Sequence, residues 1–103
     1  MMIARWSINA KFGYKQQVVD LMQRWLREIG PQAGFTADKA RLVTGSIGAL
    51  EATIQTEHQI KDLAELDQAW EKLGAIAAHK QWSKDLEPHI VSGTSHWEIY
   101  RIL

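Results

Sequence analysis

Along this chain the spacing of apolar residues switches between two periods, and the order of the switches restricts the fold more than any other feature. Met2–Asn9 alternates: Met2, Ala4, Trp6 and Ile8 fall on one side, Ile3, Arg5, Ser7 and Asn9 on the other. Period two over this length predicts a strand with unlike faces. Tyr14–Ile29 takes helical spacing, with Tyr14, Val18, Leu21, Met22, Trp25 and Ile29 in one stripe and Gln16, Gln17, Asp20, Gln23, Arg24 and Arg27 opposite. Gly30-Pro31 is expected to stop this helix, the glycine taking a left-handed conformation and the proline being unable to extend it.

Beyond a loop at Pro31–Asp38, Lys39–Thr44 and Leu50–Glu57 read as strands, joined by a hairpin turn at Gly45-Ser-Ile-Gly48. Asp62 with Glu65 forms a capping box for the next helix. Its expected buried stripe is Leu63, Leu66, Trp70 and Leu73. Gly74 interrupts, and Ala75–Leu86 resumes helical spacing through Ile76, His79, Trp82 and Leu86 until Pro88. Ser95–Ile102 reads as the last strand. The order is β-α-β-β-α-β. With right-handed crossovers it predicts an α+β, ferredoxin-like fold: a four-stranded antiparallel sheet, order 4-1-3-2, with the helices on one face. A chain of 103 residues suits one domain, 1–103.

Twelve basic residues balance twelve acidic ones, so there is no basic field to attract nucleic acid or an anionic membrane, and neither is expected as a partner. No stretch is apolar enough for a signal peptide or a membrane span, which makes the cytoplasm the expected location. Without cysteine the chain has no disulfide, thiolate nucleophile or Cys-based metal site. It carries no H-E-x-x-H motif, no helical His pair spaced i, i+4, no phosphate loop and no nucleophile elbow, so no metal site or cofactor is expected.

Two helices cover one face of a sheet. Trp6, Ile8, Leu42, Leu50, Ile54, Trp97 and Ile99 are expected to meet them. The opposite face then collects Arg5, Ser7, Asn9, Lys39, Arg41, Val43, Glu51, Thr53, Gln55, Glu57, His96, Glu98 and Tyr100. Antiparallel sheets tolerate a solvated face. Two such faces could also close a barrel across a homodimer, with Arg5, Arg41, Glu51, His96, Glu98 and Tyr100 lining it as paired charges.

The whole topology resembles the dimeric α/β-barrel superfamily of small ferredoxin-like proteins. Locally, Leu63–Trp82 (LAELDQAWEKLGAIAAHKQW) is similar to the NIPSNAP-type pattern, an L-x-x-L-x-x-A-W helix followed by a short helix carrying a tryptophan. Antibiotic-biosynthesis monooxygenases and haem-degrading monooxygenases share the superfamily. The resemblance implies a homodimer, and the barrel reading rests on it. The haem-degrading members place a tryptophan on the second helical region, a histidine ligand about three turns later, and an asparagine near the end of the first strand. Trp70 and His79 stand in that relation one residue short. Asn9 is close to the asparagine position, although alignment on the following Ala-Lys puts Ile8 there.

His79, Asn9 and Trp70 are therefore the candidate catalytic residues. Trp6, Trp70, Trp82 and His79 are the candidates for binding a ligand, and Trp6, Trp70, Trp82 and Trp97 could line a cleft between helices and sheet that Gly74 would help to open. His79 equally suits a core-edge histidine bonded to backbone, and Trp6, Trp25 and Trp97 suit core packing. His58 and His89 are expected at the surface. The expected function is a homodimeric barrel binding a small, flat, partly apolar molecule. The alternatives are a cofactor-independent monooxygenase of the antibiotic-biosynthesis type, a haem-degrading enzyme, or an interaction domain without ligand.

Overall fold

The computed structural model describes residues 1–103, the whole chain. Strands β1 (Met2–Asn9), β2 (Ala40–Thr44), β3 (Thr53–Ile60) and β4 (His96–Arg101) form one sheet in the order β2-β3-β1-β4, every pairing antiparallel. Helices α1 (Lys15–Arg24), α2 (Leu63–Gly74) and α3 (Ala77–Leu86) lie on one side of it, as the expected ferredoxin-like fold requires. No helix is long and apolar enough to cross a membrane.

Register decides which side chains reach the helices. Trp6 pairs with Thr56 on one side and Trp97 on the other, and Ile8 pairs with Ile54. These even-numbered residues of β1 and β3, with Trp97 and Ile99 of β4, face the core. Ala4, Ile8 and Ile54 are fully buried there against Val18, Met22, Leu66 and Leu86. Burying such side chains stabilises the fold by about 1.5–3 kcal/mol each.

Four expectations are corrected. The first helix does not stop at Gly30. After Arg24 the chain makes a π-helical turn over Trp25–Ile29 and a 3-10 turn over Gly30–Ala33, and the left-handed residue is Gly34 (φ 97°). Gly30 is helical (φ −52°). Its missing Cβ makes room for the Trp25 ring, which such an atom would meet at 2.8 Å. Residues with i→i+5 bonding are uncommon and cluster at functional sites.

The second hairpin strand starts at Thr53 and runs three residues beyond Glu57. Leu50 and Glu51 lie in the turn, both exposed, so neither belongs to a sheet face. Glu51 instead reaches the Lys15 ammonium at 3.7 Å. The extension carries His58 onto the core face, where it is 2% exposed rather than at the surface.

In α2 the buried stripe is Leu66, Ala69 and Leu73; Leu63 is mostly exposed and Trp70 is 39% exposed. A leucine–tryptophan spacing of three and four fits two neighbouring stripes, and packing selects the one through the small Ala69. The Asp62 cap of α2 is as expected, its carboxylate accepting from the Glu65 backbone N–H (2.9 Å), while the return bond of the box is shifted by one residue: Glu65 accepts from the Lys61 N–H (2.6 Å).

Candidate functional site

Between the sheet and the three helices lies a cleft of about 340 Å³ lined by Trp6, Met22, Trp25, Thr56, Trp70, Leu73, Gly74, His79, Trp82, Ser83 and Trp97. All five tryptophans of the chain reach it. No Asp, Glu, Lys or Arg does. Its size lies at the low end of small-molecule sites, roughly 300–1,000 Å³.

Each element contributes by its own local logic. Trp6 and Trp97 are cross-strand partners on the core face of β1 and β4. Trp25 comes from the π-helical turn. Trp70 comes from the outer edge of the α2 stripe, and meets Trp97 edge-on at 5.4 Å. His79 and Trp82 sit three apart on α3, so they share one face, their rings stacked at 5.9 Å and 18°. Gly74 ends α2, and the two residues after it turn the chain into α3, so both helices contribute to the lining.

Three of the five indoles are pinned by hydrogen bonds. Trp6 Nε1–H donates to Ser95 Oγ (2.8 Å) and Trp82 Nε1–H to the Leu21 carbonyl (2.6 Å). Trp25 Nε1–H donates to His79 Nδ1 (3.0 Å). Trp25 also lies within 6.1 Å of Trp82, and Trp6 within 6.3 Å, so the aromatic wall is continuous. A wall held this way is a preformed surface for a flat ligand.

The Trp25–His79 bond sets the chemistry of His79. An indole N–H can only donate, so Nδ1 must be the unprotonated acceptor and Nε2 carries the proton of the neutral ring. Burial pushes the imidazole below the ordinary histidine value and favours that neutral form. Haem or another metal bound through Nε2 would need the opposite tautomer, with Nδ1–H donating to an acceptor. Trp25 offers no acceptor, and the arrangement does not fit haem ligation by His79. Nor do any three His, Asp or Glu side chains converge as a metal site would require.

Asn9 is not part of this cleft. It projects from the other face of β1, where its Oδ1 accepts from the Thr53 hydroxyl at 2.7 Å. Of the three catalytic candidates, the fold brings together His79 and Trp70 alone; all four ligand-binding candidates meet at the cleft. Trp25 and Thr56 are lining residues that sequence reading missed. Trp25 fell in a core stripe, and its extra role depends on the π-helical turn, which has no sequence signature. Thr56 could be found from the alternation of β3, since it occupies a core-face position with a hydroxyl.

On the other face, Arg5, Arg41, His96, Glu98 and Tyr100 do gather, without Glu51. Their centre is Glu57, which accepts from Arg5 Nε (2.7 Å) and Arg41 Nε (2.6 Å). Burial raises the Glu57 carboxyl, but the bonds from Arg41 and Arg5 outweigh it and hold it below the usual range. The Arg5 guanidinium lies over the Tyr100 ring at 4.8 Å, and Tyr100 donates to Glu98 at 3.0 Å. Ser7, in the middle of this face, is buried and accepts from Gln55 (2.9 Å).

Comparison with known proteins places the fold. No family model matches the chain, and no curated protein matches it. Solved structures do. A NIPSNAP family protein from Agrobacterium tumefaciens superposes with a TM-score of 0.76 at 17% identity, over 99% of this chain and 85% of its own. A NIPSNAP domain protein from Burkholderia xenovorans gives 0.70 at 14%, over 100% and 95%. An antibiotic biosynthesis monooxygenase gives 0.70 at 12%, over 100% and 99%. The chain thus has the ferredoxin-like fold that these proteins share, as its sequence resemblance implied. At such identities the likeness is one of fold alone.

Proposed function

We propose that this protein is a single-domain, cytoplasmic, small-molecule-binding homodimer, and that its ligand is a flat, partly apolar molecule held among the tryptophans. One observation carries this reading: five indoles from five different elements converge on one uncharged cleft. Core packing alone would bury Trp70, yet it stands 39% exposed at the rim. Trp6, Trp70, Trp82 and His79 are the contacts expected to matter most. A titration of flat aromatic compounds followed by tryptophan fluorescence tests the reading. Saturable quenching that is weakened in Trp82→Ala is expected; absence of response across the panel would leave an interaction domain without ligand.

The homodimer is supported by the uncovered sheet face. Glu57 and Ser7 are already buried there by their neighbours, while Tyr100 and Arg41 remain open to a second copy. Sedimentation is expected at about twice 11.7 kDa, and a monomer at micromolar concentration would sink the idea.

A second reading is a cofactor-independent monooxygenase, in which the bound substrate itself reacts with oxygen. It is favoured by the fold shared with an antibiotic biosynthesis monooxygenase and by a cleft that excludes charge. Here His79 would stabilise negative charge developing on a substrate oxygen through its Nε2–H, and Trp70 would close the rim. Asn9, on the far face, would contribute only in a dimer that brings the two faces into one site. Oxygen uptake with quinols or anthrones checks this; silence over the panel removes it.

A further inference from the structure

The polar groups of the cleft are unequal in kind. With Nδ1 occupied by Trp25, the free nitrogen of His79 is Nε2, which bears hydrogen, has no partner within the chain and is not buried. The indole N–H groups of Trp70 and Trp97, unlike those of Trp6, Trp25 and Trp82, are also without partners, and they too can only donate. The lining has no side-chain carboxylate or amide oxygen, and its one unprotonated imidazole nitrogen, His79 Nδ1, is taken by Trp25, so the hydroxyls of Thr56 and Ser83 are its free side-chain oxygen acceptors. The Ser83 hydroxyl already donates to the His79 carbonyl (3.0 Å).

We infer that the cleft selects planar aromatic molecules bearing an oxygen acceptor, a carbonyl or phenolate, which receives the Nε2–H of His79, and that Trp25 is the positioning residue that imposes this preference. The inference rests on the cleft being a ligand site and names the class of ligand. Its physical basis is asymmetry. A ligand acceptor pairs the His79 donor, whereas a ligand N–H facing Nε2–H sets two donors against each other and leaves both unpaired in a desolvated site. The stacked Trp82 ring and the Trp25 bond hold the imidazole plane, so the donor is aimed before the ligand arrives.

Three probes of nearly equal shape separate shape from polarity: fluorenone with an acceptor, fluorene with neither group, and carbazole with a donor. Dissociation constants from tryptophan quenching should place fluorenone tighter than fluorene by about three- to tenfold, the range of one net hydrogen bond, with carbazole no tighter than fluorene. In Trp25→Phe, the lock is gone, Nδ1 is free to carry the proton, and the fluorenone advantage should shrink while carbazole gains. Imidazole ¹⁵N shifts should then record loss of the single Nε2–H tautomer, a change that a purely structural role would not produce. Equal binding of all three probes by the unaltered protein would overturn the inference and leave the cleft standing. Failure of all three to bind would overturn both.

Discussion

Trp25 Nε1 and His79 Nδ1, 54 positions apart in the chain, are 3.0 Å apart in space, and this one bond links the π-helical turn after α1 to the face of α3. It makes His79 a neutral donor rather than a proton-accepting or metal-binding group. In Trp25→Phe, the imidazole is expected to regain basicity, because an acceptor bond that favours the neutral ring is lost while part of the burial remains. An NMR titration of His79 checks the direction: its pKa should rise toward the ordinary histidine value.

Haem offers a sharper check of the same bond. Added haem is expected to give the same free-haem spectrum with the unaltered protein and with His79→Ala, because Trp25 occupies Nδ1 in the tautomer that ligation would need to reverse. A Soret shift present in the first and absent in the second would contradict the assignment.

His58 is buried between Phe35, at 4.5 Å, and Trp25, at 5.7 Å, with both ring nitrogens unpartnered within the chain. Burial lowers its pKa to about 4. Since the unfolded value is about 6.5, the unfolded chain binds the extra proton first as pH falls. Stability from this group is full above about pH 6.5 and is lost down to about pH 4, by roughly 3 kcal/mol in all. In His58→Leu this acid sensitivity should disappear, and stability at neutral pH should rise by about 1–3 kcal/mol as two unpaired nitrogens go. Urea unfolding at pH 7 and pH 4.5 measures both effects.

Gly30→Ala places a methyl 2.8 Å from the Trp25 ring and 3.2 Å from the Phe35 carbonyl oxygen. Trp25 must shift, so the cost is expected at about 1–3 kcal/mol. Because Trp25 holds His79, ligand binding should weaken along with stability. A normal melting temperature with unchanged probe affinity would show that Trp25 has room to move.

Glu57→Gln leaves two guanidiniums without their shared carboxylate. Arg41 is open to water, which softens the loss, and a cost of about 1–3 kcal/mol is expected at neutral pH. The native carboxyl is held below its unfolded value, so its contribution is present above the unfolded pKa and disappears as pH falls through the folded one. The difference between the two proteins in urea unfolding should therefore narrow on acidification. Should the unaltered protein sediment as a dimer and the variant as a monomer, the pair belongs to the interface as well.

The elements were legible because their signals are local. Alternation in Met2–Asn9, the Asp62–Glu65 cap and the Gly74 break each depend on residues within a turn or two, and each appears where it was read. The two faces of the sheet followed from β1 and its partners, so the placement of Arg5, Arg41 and Tyr100 away from the helices was also readable. Boundaries that depend on a distant partner were not. Strand β3 continues through His58 because β1 extends alongside it to pair Ala4 with His58, and nothing near His58 announces this.

What the sequence determined by itself is therefore the order of elements, the sheet topology that right-handed connections impose, and the set of aromatic side chains that must be sheltered. Tertiary structure alone decided how they are sheltered. Whether a tryptophan fills the core or lines a cleft depends on whether facing helices close over it, and Ala69 rather than Trp70 took the buried position under α2. The proton on His79 was decided in the same way. A tautomer is set by the group at the other ring nitrogen, and that group, the Trp25 indole, arrives from the opposite half of the chain on a π-helical turn, its ring packed where a Cβ on Gly30 would stand.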